Sequence, residues 1–265
     1  MTPRELRHAM RSGRSIYGTL IASDSPDWPE QVARIGLDFV FLDTEHIALD
    51  RKALSWMCRV YAALGLPPIV RILSPDPNLA RAALDAGAAG IMAPYVETVE
   101  QVKALVGAVK LRPLKGERLD EALTNRATLE PRLAEYLKQH AERHILTINI
   151  ESRPALNRLD ELLSVDGLDG VLVGPHDLSI NLGAPEDYEN PEFDQAVRTI
   201  LRSARNHGIG AGVFSMLGVE RVLQWAEDGL NFVVHRADYA AMRDAIAADI
   251  GVMREGLASA PRDPS

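Results

Sequence analysis

Six ionisable side chains fall at or just past the ends of short apolar runs. DFVFLD ends in Asp43 and continues into Thr44, Glu45 and His46; PPIVRI carries Arg71; ILTINIE ends in Glu151; and GVLVGPHD ends in Asp177. Glu151 and Asp177 are hard oxygen donors with no cysteine or paired-histidine spacing beside them. That set suits Mg2+ or Mn2+ keeping several waters, with Co2+ a further candidate, rather than structural zinc. Such an ion leaves positions open. A 2-oxo acid can chelate there through its keto and carboxylate oxygens, and the ion then serves as Lewis acid for an enolate.

Taken singly, each residue has a plainer reading: an Asp after a strand caps a helix, a strand Arg is a structural ion-pair partner, and a loop His is solvated. Convergence changes this, because acids crowded at one site repel unless they share a ligand such as a cation. The alternative electron sink, a Schiff base, needs a lysine at a strand end. Lys52, Lys103, Lys110, Lys115 and Lys138 all fall in helix-like or loop segments.

Residues of this kind converge only if the runs that carry them are strands of one sheet. SIYGTLI, DFVFLD, PPIVRI, GIMAPY, ILTINIE, GVLVGP, GIGAGVFS and NFVVHR are β-rich, and helix-period segments such as PDPNLARAALDAG and PEFDQAVRTILRSARNHG separate most of them. Gly87, Gly170, Gly208 and Gly229 stand where left-handed helix ends are expected. The strands read as continuous apolar runs, as parallel strands buried on both faces do. The expected fold is α/β, a (β/α)8 TIM barrel, with residues 1–257 forming one domain and the Pro/Ser-rich residues 258–265 a disordered tail. In such barrels the reacting groups gather at the C-terminal ends of the strands. The charged segment 111–144 breaks the rhythm and reads as a long loop and helix of the kind that often carries function.

Composition narrows the partners. The chain has 265 residues, 46% of them hydrophobic, and a formal net charge of -8. It offers no basic face for nucleic acid. No apolar run approaches the roughly 18 residues of a membrane span, and the charged N-terminus lacks a signal core. A cytoplasmic protein acting on small molecules is expected. The lone Cys58 reads as a buried, inert thiol, and Trp56 and Trp225 as core or interface anchors.

The segments DFVFLDTEH, PPIVRI, GAAGIMAPYVETVEQ and INIESRPALNRLDELLSVDGLDGVLVGPHDLSINLG resemble, in order, the HpcH/HpaI aldolase/citrate lyase family. The nearest branch is the 2-keto-3-deoxy-sugar acid and 2,4-dihydroxyhept-2-ene-dioate aldolases. The resemblance implies a barrel of the phosphoenolpyruvate/pyruvate type and a metal-dependent aldolase that cleaves a 4-hydroxy-2-oxo acid to pyruvate, or a close 2-oxo acid, and an aldehyde. It makes Glu151 and Asp177 the metal ligands. His46 becomes the general base acting with metal-bound water, oriented by Asp43, and Arg71 the group that binds the keto oxygen and offsets enolate charge. The turn of Gly174, Pro175, His176 and Asp177 becomes the substrate-carboxylate site through its backbone N–H groups. Glu45, Tyr95, His235 and Arg236 are candidates for the substrate mouth, with pairing to acidic surface groups the alternative for His235 and Arg236. The resemblance also implies a homohexamer that exchanges C-terminal helices.

Three departures bear on the substrate. His176 stands where the family usually has a small residue, KGERLDEALTNR replaces a Gly- and Arg-containing segment that helps bind the acceptor aldehyde, and NFVVHRADY replaces a Gly-Ser-Asp-like turn. They leave two alternatives beside the aldolase: a related lyase of altered substrate, citrate-lyase-like or decarboxylating, and a non-catalytic 2-oxo acid binding barrel.

Overall fold

The computed structural model describes residues 1–124 and 128–259. The chain opens with helix α1 (Pro3–Ser12), started by a reciprocal cap in which the Thr2 hydroxyl accepts from the Glu5 amide and the Glu5 carboxylate accepts from the Thr2 amide. Its buried stripe of Leu6, Ala9 and Met10 joins Ile16, Phe39, Ile145 and Phe232 in one cluster, so α1 plugs the end of the barrel where the strands begin.

Among the described residues eight strands follow: β1 (Ile16–Leu20), β2 (Phe39–Asp43), β3 (Pro68–Arg71), β4 (Gly90–Ala93), β5 (Ile145–Ile150), β6 (Gly170–Val173), β7 (Gly210–Ser215) and β8 (Phe232–Ala237). All are parallel, pair in chain order, and close through β8 on β1. Side-chain alternation divides each strand. Phe39, Phe41, Ile69, Met92, Leu172 and Val234 fill the interior, whereas Val40, Leu42, Val70, Ile91 and Val171 face outward beneath helices. Burial on both faces is why the strands read as uninterrupted apolar runs.

The helices that follow are α2 (Trp28–Ala33), α3 (Arg51–Ala63), α4 (Pro77–Ala86), α5 (Val99–Val109), α6 (Gly116–Leu123), α7 (Pro131–Ala141), α8 (Arg153–Asn157), α9 (Leu159–Leu163), α10 (Pro175–Asn181), α11 (Pro191–Asn206), α12 (Val219–Ala226) and α13 (Asp238–Ser259). Cys58 and Trp225 are buried in the core, and Trp56 is partly buried against it.

Three expectations are corrected here. Gly170 is a strand residue, paired with Thr147 and Gly210, where a Cβ would stand 3.1 Å from the Gly210 carbonyl oxygen, and Gly167 takes the left-handed turn instead. The segment 111–144 leaves the end of α5 and returns to the start of β5, so it is anchored on the plugged side of the barrel rather than the catalytic side. Within it Leu119 and Leu123 of α6 pack on Gly107 of α5, and residues 125–127 lie outside the described residues. Helix α13 continues to Ser259, past the tail boundary expected at 258, and residues 260–265 are likewise outside the described residues.

The last helix does not lie on the barrel. From Ala241 to Ala258 every residue of α13 is exposed, Met242, Ile246, Ile250 and Met253 included. Where an eighth covering helix belongs, between α2 and α12, there is an apolar groove of about 450 Å³ lined by Tyr17, Ile35, Leu37, Val219, Leu223 and Val233.

The plugged end is held by Asp169, fully buried, which accepts from Arg7 Nε at 2.7 Å, from the Leu146 amide at 3.0 Å and from Lys110 Nζ. Lys110 also donates to the Ala141 and His144 carbonyls, tying the end of α5 to the approach to β5. Removing one partner of a buried ion pair strands the other charge, at a cost of about 3–5 kcal/mol. Asp169→Ala should therefore lower the unfolding free energy by that amount, read in urea as a lower midpoint with the slope preserved. A loss below about 1 kcal/mol would show that the plug does not depend on this acid.

Candidate functional site

At the open end, β2 and β3 deliver the first pair of groups side by side, since their register sets Asp43 opposite Arg71. Asp43 is buried and accepts two hydrogen bonds from the guanidinium, from Nε at 2.9 Å and from Nη2 at 2.6 Å. This bidentate geometry fixes the plane of Arg71. Glu45 approaches the remaining Nη1 at 3.2 Å, and its amide donates to Asp43 Oδ1. Burial acts to lower the Arg71 pKa, but Asp43, Glu45 and Glu151 outweigh it and hold the cation charged. Burial raises the Glu45 carboxyl above its ordinary value against the opposing pull of Arg71.

β5 supplies the central acid. Glu151 follows the strand and is 2% exposed; its Oε1 accepts from the Tyr95 amide at 2.8 Å and its Oε2 from Asn149 Nδ2 at 2.9 Å. Tyr95 makes this contact with a left-handed backbone, φ 50°. Burial pushes the Glu151 carboxyl up to about 7; Asp177 and Glu45 add repulsion, and the two hydrogen bonds oppose the rise.

β6 is followed directly by Gly174, the N-cap of α10. A Cβ at Gly174 would stand 2.4 Å from Glu151 Oε2, so a side chain there would push the Glu151 carboxylate from its place. Asp177 lies in the first turn of α10. The amides of His176 and Asp177 sit in that same turn, where a helix leaves N–H groups without internal acceptors; Pro175 has no N–H to contribute.

These segments enclose a cavity of about 330 Å³ whose wall includes Asp43, His46, Arg71, Asn149, the turn from Gly174 to Asp177, and Phe214, Met216 and Leu217. His46 is mostly exposed, with Nε2 3.6 Å from Glu45 Oε2. The structure thus brings Asp43, Glu45, His46, Arg71, Glu151, Gly174, Pro175, His176 and Asp177 to one end of the barrel.

Other expectations change. Asp43 is committed to Arg71 and the Glu45 amide, and among the described residues the group near the His46 ring is Glu45. Tyr95 serves through its amide, while its hydroxyl lies 3.4 Å from Asn181 Nδ2, outside the cavity wall. His235 and Arg236 line the outer groove instead of the mouth, because β8 bulges between its pairings with Gly18 and Leu20, and Arg236 pairs with Asp244 on α13. No residue of 111–144 reaches the cavity wall among those described.

Asn149 was not singled out from the sequence. It is 1% exposed, and its Oδ1 has no partner among the described atoms. The signal was present in ILTINIE: strand alternation puts a residue two before Glu151 on the same face.

The donors fit a hard divalent cation. Two carboxylates, one of them raised chiefly by burial and further by its acidic neighbours, gain from a positive charge between them. Among the described residues no third His, Cys, Asp or Glu completes a protein-only cage, so an ion held here keeps positions for water or substrate.

Residues 17–239 match the HpcH/HpaI aldolase/citrate lyase family. The 2-keto-3-deoxy-L-rhamnonate aldolase of Escherichia coli K12 is 31% identical over 252 residues, spanning 94% of this chain and 93% of its own. The crystal structure of an HpcH/HpaI aldolase from Desulfitobacterium hafniense superimposes with a TM-score of 0.82 at 28% identity, covering 94% and 96% of the two chains. At the level of fold, a citrate lyase beta subunit from M. tuberculosis, complexed with oxaloacetate and magnesium, gives a TM-score of 0.56 at 20% identity over 86% and 93% of the chains.

Two measurements test the cation fit. Gly174→Ala should displace Glu151 and weaken Mn2+ binding at least tenfold, or about 1.4 kcal/mol, in a calorimetric titration of folded protein. Since the Glu151 carboxyl is raised to about 7, its charged form is complete only above that pH. Mn2+ affinity should fall as pH drops from 7 to 5, by up to about tenfold per unit. A flat profile would remove Glu151 from the ligand set.

Proposed function

The chain belongs to the HpcH/HpaI aldolase/citrate lyase family, and from that premise we propose that it is an aldolase reversibly cleaving a 4-hydroxy-2-oxo acid to pyruvate, or a close 2-oxo acid, and an aldehyde. The observation that carries this reading is a buried, cation-seeking Glu151, its oxygens held by the Tyr95 amide and Asn149, at the same end of the barrel as an Arg71 locked in plane by Asp43. A divalent ion held by Glu151 and Asp177 supplies Lewis-acid polarisation of the keto acid; Mg2+ and Mn2+ are the first candidates and Co2+ a further one.

The chain's own residues account for the rest. The amides of His176 and Asp177, with Gly174 giving close approach, hold the substrate carboxylate at the start of α10. Arg71 points its charge at the keto oxygen, where negative charge develops as the bond between C3 and C4 breaks. His46 takes the proton from the C4 hydroxyl, the aldehyde leaves with the former C4, and the bond electrons pass into the enolate of pyruvate. Protonation at C3 then gives pyruvate. Glu45 steadies both His46 and Arg71, within 3.6 Å of the first and 3.2 Å of the second.

Assembly follows from the misplaced last helix. The exposed apolar side chains of α13 and the apolar groove between α2 and α12 support a homo-oligomer, a hexamer by family resemblance, in which each α13 covers a neighbour's groove. No described helix is long and apolar enough to cross a membrane, and we place the enzyme in the cytoplasm.

Metal-stripped protein should release no pyruvate from 4-hydroxy-2-oxo acids until Mn2+ or Mg2+ is restored; silence across a panel of such acids with metal present would overturn the reading. Arg71→Ala should lower kcat about 10²–10³-fold, the scale of losing one charge-stabilising donor. His46→Ala should retain Mn2+ and lose about 10²–10⁴-fold in turnover. Truncation after Tyr239 should convert the oligomer to smaller species in sedimentation, and a full-length monomer would exclude the exchange of α13.

A further inference from the structure

The mouth of the barrel is divided around its circumference. From β3 to the start of α10 the strand ends carry Arg71, Asn149, Glu151 and Asp177. The other arc runs over the closure through β7, β8, β1 and β2, which are neighbours in that order. Here the cavity wall is hydrocarbon: Phe214 on β7, Met216 and Leu217 just after it, Tyr239 just after β8, Leu20 at the end of β1 and Ile47 beyond β2. The two arcs meet at Arg71. Its guanidinium lies 5.8 Å from the centre of the Phe41 ring, and Phe41 in turn stands 6.2 Å from Phe214, ring centre to ring centre.

The polar groups that could have interrupted this arc are directed elsewhere. His235 and Arg236 of β8 line the outer groove, and no described residue of 111–144 reaches the cavity. His176 Nδ1 and Glu186 Oε1 lie 3.5 Å apart on mostly exposed side chains at the rim, where water satisfies both. Among the described residues of the cavity wall Arg71 is the sole Lys or Arg, and Asp43 already engages it.

The keto acid occupies the polar arc in the reading above, and His46, which takes the C4 proton, follows β2 at the boundary between the arcs. The substituent on C4 therefore leaves toward Phe214 and Leu20. We propose that the apolar arc is the acceptor subsite and selects uncharged aldehydes bearing an alkyl or aryl group. This rests on the aldolase reading, and it makes the substrates for cleavage 4-hydroxy-2-oxo acids with an apolar group on C4. Met216 and Tyr239 are 55% and 49% exposed, so a hydrocarbon chain laid on them removes apolar surface from water on both sides. A hydroxyl in the same place loses water and gains no partner, and a carboxylate loses more.

Acetaldehyde, propionaldehyde and butyraldehyde lengthen the substituent one methylene at a time, and glycolaldehyde puts a hydroxyl where propionaldehyde has a methyl. In aldol addition to pyruvate by the Mn2+-loaded wild type, kcat/KM should rise about two- to fourfold per methylene. Propionaldehyde should exceed glycolaldehyde by about tenfold. A flat series, or a preference for glycolaldehyde, overturns the proposal. Met216→Asn and Phe214→Ala should each lower the ratio of butyraldehyde to acetaldehyde at least twofold; a ratio unaltered in both variants overturns it as well. Metal-dependent exchange of the pyruvate C3 protons into deuterated water by the wild-type protein needs no aldehyde. Its absence would defeat the aldolase reading itself, while its presence with a flat aldehyde series defeats only the subsite.

Discussion

Glu151 is a carboxylate taken almost wholly out of water, and among the described residues no salt bridge reaches it. Burial of such a charge is costly unless something positive arrives, and much around it is arranged to keep the charge available. The Tyr95 amide and the Asn149 side chain aim both its oxygens, and Gly174 makes the space one of them occupies. Hydrogen bonds to the charged form resist the rise that burial imposes, so the acid sits near neutrality instead of staying protonated. A carboxylate so poised is suited to ligation because a cation removes the stress that the fold leaves in place.

The two ends of the barrel treat buried charge oppositely. At the plugged end Asp169 meets Arg7 and Lys110 within the chain, and its bonding is complete. At the open end the one strong pair, Asp43 with Arg71, is internal, yet Glu151 and Asp177 remain without a cation of their own. Stability is thus concentrated where the strands begin and unmet bonding capacity where they end, the usual division of labour in a (β/α)8 barrel. Asn149 extends the pattern: its amide is spent on Glu151, and its carbonyl oxygen is left over.

The outer layer shows another incompleteness, of packing instead of charge. β1 and β8 pair along the closure of the barrel, but the groove over them is apolar and open while α13 stands clear of it. Exposed Met242, Ile246, Ile250 and Met253 on the helix, and Ile35, Val219 and Leu223 in the groove, are apolar surface beyond what a monomer usefully presents to water. Arg236, on the bulge of β8, pairs with Asp244 near the base of α13.

The barrel, and the gathering of its polar strand-end residues at one mouth, were legible before any coordinates, because both depend on local pattern. Uninterrupted apolar runs imply strands buried on both faces, alternation with helical segments implies parallel closure, and polar residues ending those runs must fall at one mouth. The position of Glu151, Asp177, Arg71, Asp43 and His46 at that mouth follows from the pattern, whereas their proposed roles came from the family resemblance. What the sequence could not decide depends on register and on which side of the barrel a segment returns to. Asp43 turned out to hold Arg71 because β2 and β3 pair those two positions, a pairing invisible in either strand by itself. His235 and Arg236 left the mouth because a bulge re-aims the end of β8, and residues 111–144 fell at the plugged end because a helix-to-strand connection must lie there. The nearness of His176 to Glu186 depends on a buried hydroxyl between distant backbone groups. Periodicity fixes which face a residue takes, but contacts between segments are set by packing in three dimensions, and only the folded chain decides those.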